Sequence, residues 1–211
     1  MLAGIILAAG ASSRMGHPKA LLPARDGRSF LVTLAGAFAD AGLHPLVVVV
    51  GLHGPLIADA IREARVALQV AVNAHPERGQ LSSVITGLEA LAGSGCGGAA
   101  VIPVDQPLVS VEAVRRLHEA WRVTRAPIVR PEHRGRHGHP VIFDAHLFDE
   151  LRGADLEVGA RAVVQRHRGE ILDVAITDPG AYEDIDTPDD YRRLIGPWPE
   201  RPDDRRGHAA G

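Results

Sequence analysis

The chain has 211 residues, 45% of them hydrophobic and 23% charged, an ordinary balance for a single globular α/β domain. Its formal net charge of −3 and its lack of a long Lys/Arg run argue against a surface for nucleic acid or anionic membrane. A single cysteine, Cys96, excludes an intrachain disulfide; this fits a reducing cytoplasm, and Cys96 is interpreted as a loop residue, not a nucleophile.

Apolar runs alternate with helical patterns along the first half of the chain, as in parallel strands joined by crossover helices. The first run has no basic flank and is too short to cross a bilayer, so it predicts a buried strand rather than a signal peptide. The predicted strands here are Ala3–Ala8, Pro45–Val50, Leu68–Val72 and Ala99–Val104. The predicted helices are Ser29–Ala41, Pro55–Glu63, Leu81–Ala92 and Val111–Arg122.

The pattern is less regular in the second half. Strands are predicted near Ala126–Arg130, Pro140–Phe143 and Ile171–Ile176, and helices at Ala145–Leu151, Gly159–His167 and Pro188–Leu194. Gly196–Gly211 is rich in charge and proline and is predicted to be a flexible tail. The predicted fold is therefore one three-layer α/β/α domain over residues 1–195, Rossmann-like, with a mainly parallel sheet.

The first strand leads directly into a loop of small residues, Gly10–Lys19, that carries two cations. Small residues let backbone N–H groups approach an anion, and Ser12 and Ser13 add hydroxyl donors. Arg14 and Lys19 add positive charge at the end of a strand, where open α/β sheets bind ligands. The Walker A and Gly-x-Gly-x-x-Gly patterns are both absent, which argues against a kinase, a GTPase and an NAD enzyme. The loop therefore predicts a polyphosphate site of another class.

Two aspartates stand out at the ends of predicted elements. Asp105 follows a buried strand, where a carboxylate suits Mg²⁺, although a turn cap explains it almost equally well. Asp186 precedes Thr187, the predicted N-cap of a helix that begins at Pro188, so the cap does not account for Asp186. Phosphoryl chemistry needs a divalent ion because the transferring group carries concentrated negative charge.

The segment Leu7-Ala8-Ala9-Gly10-x-Ser12-x-Arg14-Met15-Gly16-x-x-Lys19 resembles the signature of the NTP-transferase family related to molybdenum cofactor cytidylyltransferases. Four later motifs follow in the family's order, so the resemblance spans about residues 3–194. It implies the fold of the nucleotide-diphospho-sugar transferases and transfer of an NMP from an NTP, with release of pyrophosphate. It also implies that the loop wraps the triphosphate, with Arg14 and Lys19 stabilising charge on the phosphates.

The resemblance assigns the remaining site residues as well. It gives Asp105 and Asp186 to Mg²⁺. The implied nucleotide-binding residues are Leu7, Ala8, Ala9, Gly10, Ser12, Ser13, Asn73, Ser82 and Ser83. The implied acceptor-binding residues are Gly138, His139 and Pro140. The chain departs from the family pattern at Pro76, where relatives often have an aromatic residue, and at Leu156-Glu157, which replaces Gly-Asp ahead of the matching Gly159-Ala160-Arg161.

A local basic loop lies at residues 130–139. Its three arginines, Arg130, Arg134 and Arg136, suit either an acceptor phosphate or a solvated loop. Its three histidines, His133, His137 and His139, invite a zinc site, but no cysteine joins them, and that alternative is not favoured.

The donor and the acceptor follow from resemblance alone. Ala8-Ala9-Gly10 favours CTP, since guanylyl-transferring relatives tend to have Ala-Gly-Gly or Gly-Gly. Molybdopterin is the favoured acceptor and a molybdoenzyme a possible partner; a sugar or polyol phosphate stays open as acceptor. A second class also stays open, a non-catalytic nucleotide-binding module that delivers a cofactor to a molybdoenzyme. The presence of both Asp105 and Asp186 favours an enzyme over this module. Mg²⁺ is its expected cofactor, and the cytoplasm is its expected location.

Overall fold

A computed structural model of the chain describes residues 1–12 and 15–199. Within these residues there are eight strands and seven α-helices. The strands are β1 (Leu2–Ala8), β2 (Leu46–Val50), β3 (Gln69–Val72), β4 (Gly98–Pro103), β5 (Ile128–His133), β6 (Arg136–His137), β7 (Val141–Asp144) and β8 (Ile171–Ala175). The helices are α1 (Phe30–Asp40), α2 (Gly54–Ala64), α3 (Gln80–Ala90), α4 (Val111–Thr124), α5 (Phe148–Gly153), α6 (Arg161–Arg166) and α7 (Pro188–Leu194).

Every predicted strand and helix is present, with its ends shifted by up to three residues. The sequence missed β6, because a strand of two residues is too short to show an alternating pattern. Residues 196–199 of the predicted tail are described, and Trp198 among them packs against the core. The rest of that tail, residues 200–211, lies outside the described residues. Ser13 and Arg14 of the loop Gly10–Lys19 (the nucleotide loop) lie outside them as well.

The strands form one sheet in the order β3-β2-β1-β4-β7-β5-β6, with β8 paired to β5. The pairs β1–β2, β2–β3 and β1–β4 are parallel, so the carboxyl ends of these four strands meet at one edge. Beyond them, β7 runs antiparallel to both β4 and β5. The chain moves outward from β1 to β2 and β3 and then returns to the other side of β1 at β4. This reversal opens a crevice beside the end of β1, the usual ligand site of open α/β sheets.

Helices cover both faces of the sheet. One apolar cluster joins alternate residues of β1, such as Leu2 and Ile6, to α1, α2 and α4. The other joins the intervening residues, such as Ala3 and Ile5, to α3, α5 and α6. The layers approach closely: a Cβ at Gly87 of α3 would lie 2.7 Å from the Ile5 side chain. The predicted three-layer α/β/α architecture is confirmed. Among the described residues, none of the helices combines the length and the apolar character that crossing a membrane requires.

A buried carboxylate, Asp144, ties β7 to α4 at the edge opposite the crevice. Only 5% of Asp144 is exposed. It accepts a hydrogen bond from Trp121 Nε1 at 3.0 Å and pairs with Arg125 at 3.0 Å and His146 at 2.9 Å. The Arg125 guanidinium also lies 4.2 Å above the centre of the Trp121 ring. Such a buried charge is tolerated only because each of its oxygens has a partner.

We expect Asp144→Ala to lower the free energy of unfolding by about 2–4 kcal/mol, because the buried Trp121 N–H loses its acceptor and a buried ion pair is broken. Urea denaturation measures this change. Asp149→Ala is the matched control: Asp149 is exposed and pairs only with Arg152, three residues away, so its loss should cost under about 0.5 kcal/mol. Equal losses in the two variants would contradict the structural role of Asp144.

Candidate active site

The loop that follows β1 is closed by Ser12. The backbone N–H of Met15 donates to the Ser12 carbonyl at 3.0 Å, and the backbone N–H of Lys19 donates to Ser12 Oγ at 3.1 Å. Ser12 has a φ of 50°, in the left-handed region that non-glycine residues rarely occupy. Its Oγ accepts from Lys19, so its O–H remains able to donate to a ligand. Ser12 therefore sets the loop geometry and returns the chain to the strand ends at Lys19.

Gly10 leaves space beside the strand end. A Cβ there would have no atom of the described residues within 4 Å, so their packing does not require a glycine at this position. At Gly51, after β2, a Cβ would lie 2.7 Å from the Ala9 carbonyl oxygen, so Gly51 is required for the close approach of two backbones. The open space at Gly10 suits the approach of an anion to the backbone.

The Lys19 ammonium contacts two carboxylates that come from distant parts of the chain. It lies 2.9 Å from Asp105 Oδ2 and 2.5 Å from Asp186 Oδ1, and its side chain is 12% exposed. Asp105 follows β4, the neighbour of β1, and the Ile185 N–H donates to the Asp105 carbonyl at 2.8 Å. The structure thus brings together three residues that the sequence predicted for one site.

The N-terminus of α7 positions Asp186. Thr187 and Asp190 form a reciprocal capping box, with Thr187 Oγ1 accepting from the Asp190 N–H at 3.1 Å and Asp190 Oδ2 accepting from the Thr187 N–H at 3.0 Å. This cap accounts for Asp190 and, as the sequence predicted, leaves Asp186 outside the helix. The helix start therefore fixes the backbone that presents Asp186 to Lys19.

Lys19 is a permanent cation at neutral pH. Burial alone would lower the pKa of Lys19, but its hydrogen bonds to Asp186 and Asp105 and their negative charges together outweigh that effect. The pKa of Lys19 is therefore raised above its ordinary value.

The two carboxylates also fit a divalent cation. Both reach the position of a single cation, the Lys19 ammonium, to within 2.9 Å. Mg²⁺ is bound in proteins through one or two carboxylates, with water and substrate phosphates completing its shell. No group of three or more His, Cys, Asp or Glu side chains that could hold a metal occurs in residues 1–12 and 15–199. Asp105 and Asp186 alone would not fill the coordination shell of a divalent ion, so substrate oxygens and water would have to supply the remaining ligands.

A polar hollow of about 240 Å³ lies on the α3 side of the end of β1. Its lining includes Ala9, Gly10, Pro76, Gln80 and Ser83. Its position between the nucleotide loop and the N-terminus of α3 matches the segment that the sequence predicted to contact a base and ribose.

Asn73 holds the turn before α3 that borders this hollow. Its Nδ2 donates to Ser82 Oγ at 2.8 Å and to Ser83 Oγ at 3.0 Å, and its Oδ1 accepts from the His75 N–H at 2.9 Å. Only 6% of Asn73 is exposed. The sequence predicted that this amide faces a base, whereas the structure uses it to hold the turn before α3. Direct contact of Asn73 with a nucleotide stays a prediction.

An apolar pocket adjoins the polar hollow and shares Leu7 and Gln80 with it. Its walls are Val84, Val101, Val141, Phe143 and Val164, with His139 and Arg161 as polar groups. The His139 Nδ1 is buried and has no hydrogen-bond partner among the described residues. Burial lowers the pKa of His139 more than the charges of Asp184 and Asp105 raise it, so its ring is neutral at pH 7.

Other residues near His139 have structural partners. A Cβ at Gly138 would lie 2.0 Å from the Ala181 carbonyl oxygen, so a glycine is needed there for packing. Arg130 pairs with Asp173 at 2.6 Å, and Arg136 donates to the Tyr182 carbonyl at 3.1 Å. The sequence could not identify Phe143 as a lining residue, since it does not stand in a motif with a chemical signature.

The family model of the MobA-like NTP transferase domain matches residues 4–171 of this chain. The chain belongs to this family. The family is described as an NTP transferase, so the predicted family and the coarse activity, nucleotidyl transfer, are both confirmed.

Two relatives are similar to this chain over different shares of its length. Nicotine blue oxidoreductase of Paenarthrobacter nicotinovorans is 32% identical over 202 residues, which cover 91% of this chain and 95% of that protein. A probable molybdenum cofactor guanylyltransferase of Rhodopirellula baltica is 34% identical over 132 residues, which cover 61% of this chain and 59% of that protein.

Solved structures agree with the MobA-like assignment. The crystal structure of Rv0371c from Mycobacterium tuberculosis H37Rv is 30% identical, with a TM-score of 0.74, and the match covers 92% of this chain and 96% of that chain. The structure of Rv0371c in complex with manganese is 26% identical, with a TM-score of 0.71, over 92% of this chain and 97% of that chain. The manganese complex shows that Rv0371c binds a divalent metal ion.

Proposed function

We propose that this nucleotidyltransferase transfers an NMP from an NTP to molybdopterin or its molybdenum-loaded form and releases pyrophosphate. One observation carries the proposal: Lys19, Asp105 and Asp186 meet at the carboxyl ends of β1 and β4, where Gly10 and Asp105 also line the polar hollow that adjoins the apolar pocket. A cation site, a hollow beside the triphosphate loop and an adjoining pocket for the acceptor are the three parts that NMP transfer requires.

In the proposed reaction, a phosphate oxygen of the acceptor forms a bond to the α-phosphorus of the NTP. The bond between the α-phosphorus and the bridging oxygen breaks, and pyrophosphate leaves. Backbone N–H groups after Gly10 and the Ser12 hydroxyl hold the triphosphate, and Lys19 and Arg14 stabilise charge on its oxygens. Asp105 and Asp186 would hold a divalent ion, which would supply further charge neutralisation. The attacking phosphate is already ionised at neutral pH, so no general base is needed.

The apolar pocket supports molybdopterin over a sugar or polyol phosphate. Sugars and polyols present hydroxyl groups, which the valines and Phe143 of this pocket cannot hydrogen-bond. A flat heteroaromatic ring can bury its faces against those side chains and place its polar edge at His139 and Arg161. The R. baltica relative, named for the molybdenum cofactor, supports the same acceptor class.

CTP is the proposed donor and GTP the second candidate. Ala9 lines the polar hollow, and its methyl group occupies space that a glycine would leave open, which favours a small pyrimidine. The relatives named guanylyltransferase favour GTP instead. Mg²⁺ is the proposed ion because both ligands are hard carboxylate oxygens, and the manganese complex of Rv0371c makes Mn²⁺ a suitable substitute in assays.

Pyrophosphate release should be fastest with CTP and molybdopterin together. The assay offers CTP, GTP, UTP and ATP in turn, each with Mg²⁺ or Mn²⁺, and with molybdopterin, a polyol phosphate or no acceptor. Faster release with GTP would replace the proposed donor, and faster release with the polyol phosphate would replace the acceptor. No release under any condition would favour the non-catalytic binding module.

A further inference from the structure

The segment after α7 returns an aromatic side chain to the nucleotide loop. The Trp198 ring lies 6.3 Å from the His17 ring, centroid to centroid, at an angle of 53°. It also lies 5.1 Å from the Tyr191 ring in an edge-to-face arrangement at 81°. His17 stands two residues before Lys19 in the loop that we propose to hold the triphosphate. Trp198 therefore packs beside the loop of the proposed active site.

Tyr191 anchors this contact to the chain that follows the loop. It is 2% exposed, its hydroxyl donates to the Pro23 carbonyl at 2.8 Å, and its ring stacks on Phe30 at 6.1 Å. A second hydrogen bond runs from Arg25 Nε to the Leu194 carbonyl at 2.8 Å. These contacts fasten α7 to residues 23–30 along its length, so Trp198 extends from a fixed base.

The segment of residues 186–198 thus contacts the nucleotide loop at two points. At its start, Asp186 binds the Lys19 ammonium, and at its end Trp198 packs on His17. The His17 Nε2 is buried without a hydrogen-bond partner among the described residues, so ring packing holds this side chain. Loss of Trp198 would leave the turn at His17 without one of its aromatic neighbours while sparing the ion pairs of Lys19.

We infer that Trp198 is a positioning residue that fixes the nucleotide loop, through His17, in the conformation that receives an NTP. The inference rests on the proposed function. A loop that is already ordered need not lose conformational entropy when the nucleotide binds. Trp198 thus contributes to nucleotide affinity, and the chemical step, which depends on Lys19 and Asp105, proceeds equally well once the nucleotide is bound.

The test compares Trp198→Ala and Trp198→Phe in the full chain, with Arg192→Ala as control. Arg192 is exposed on α7, the helix that precedes Trp198, and its ion-pair partner among the described residues is Asp189. Trp198→Ala should raise the calorimetric Kd and the KM for CTP and for GTP about tenfold, with kcat changed less than about twofold. Trp198→Phe should recover most of the affinity, and Arg192→Ala should behave as the wild type.

Fluorescence supplies a second measurement. The chain has two tryptophans, and Trp121 is buried in the core. The difference between the spectra of the wild type and Trp198→Phe reports Trp198, and nucleotide should alter it. Unchanged KM in Trp198→Ala, or a fall in kcat alone, would overturn the role of Trp198 and leave the proposed function intact. A wild-type protein that binds no NTP would overturn both.

Discussion

Replacing Asp105 by asparagine is expected to lower the rate of pyrophosphate release by about a hundredfold or more, the usual effect of losing one electrostatic contact to a transferring group. Asparagine keeps the size of the side chain and a carbonyl oxygen that can accept from Lys19 Nζ, which now lies 2.9 Å from Asp105 Oδ2. It removes the negative charge that we propose to bind the divalent ion. The variant should therefore fold as the wild type does and need a higher Mn²⁺ or Mg²⁺ concentration for half-maximal rate.

The control for Asp105→Asn is Asp189→Asn. Asp189 lies in the first turn of α7, its side chain is 91% exposed, and its ion-pair partner within residues 1–12 and 15–199 is Arg192. Its loss changes the net charge by the same amount without touching Lys19. Wild-type turnover in Asp105→Asn, with an unchanged metal titration, would reject the metal assignment of Asp105. If both variants need a higher metal concentration for half-maximal rate, the effect comes from the change in net charge.

The sequence predicted those parts of the fold and site that depend on local pattern. β1 and β4 were found because both faces of each are covered, which makes them continuous apolar runs. The sequence could place Lys19 and Asp105 at one site, because they come after β1 and β4 and the ends of neighbouring parallel strands meet at one edge. Asp186 could be singled out since Thr187 and Asp190 already had roles in a helix cap.

What the sequence missed depends on contacts between distant segments. Nothing local indicates that β7 inserts antiparallel between β4 and β5, because strand order is decided by packing of the whole sheet. Asn73 has the polarity of a ligand-binding residue, yet it is turned inward by two serines that lie nine and ten residues later. Trp198 stands among prolines and charges, a composition typical of a tail, and its ring contacts with Tyr191 and His17 arise only in the folded chain.

Lys19→Met should separate two roles of the Lys19 ammonium. Without a divalent ion, Lys19 is the shared counter-charge of Asp105 and Asp186, so its loss leaves two carboxylates that repel each other. The thermal midpoint of the variant should fall, and Mg²⁺ should raise it by more than it raises the midpoint of the wild type. Pyrophosphate release should stay about a hundredfold low even at saturating Mg²⁺, since the charge on the phosphates remains less neutralised. If Mg²⁺ restores turnover together with stability, Lys19 is a structural counter-charge and its catalytic assignment is wrong.

Lys19→Arg sharpens this test, because it keeps the charge and changes its shape. Lys19 is the only lysine among 23 basic residues, so the chain uses arginine everywhere except at this site. An ammonium is a compact charge that fits between two carboxylate oxygens at 2.9 and 2.5 Å, whereas a guanidinium is a wide planar fork. We expect the arginine variant to recover most of the thermal stability without Mg²⁺ and little of the turnover. Full turnover in Lys19→Arg would show that the site requires a positive charge but not the compact geometry of lysine.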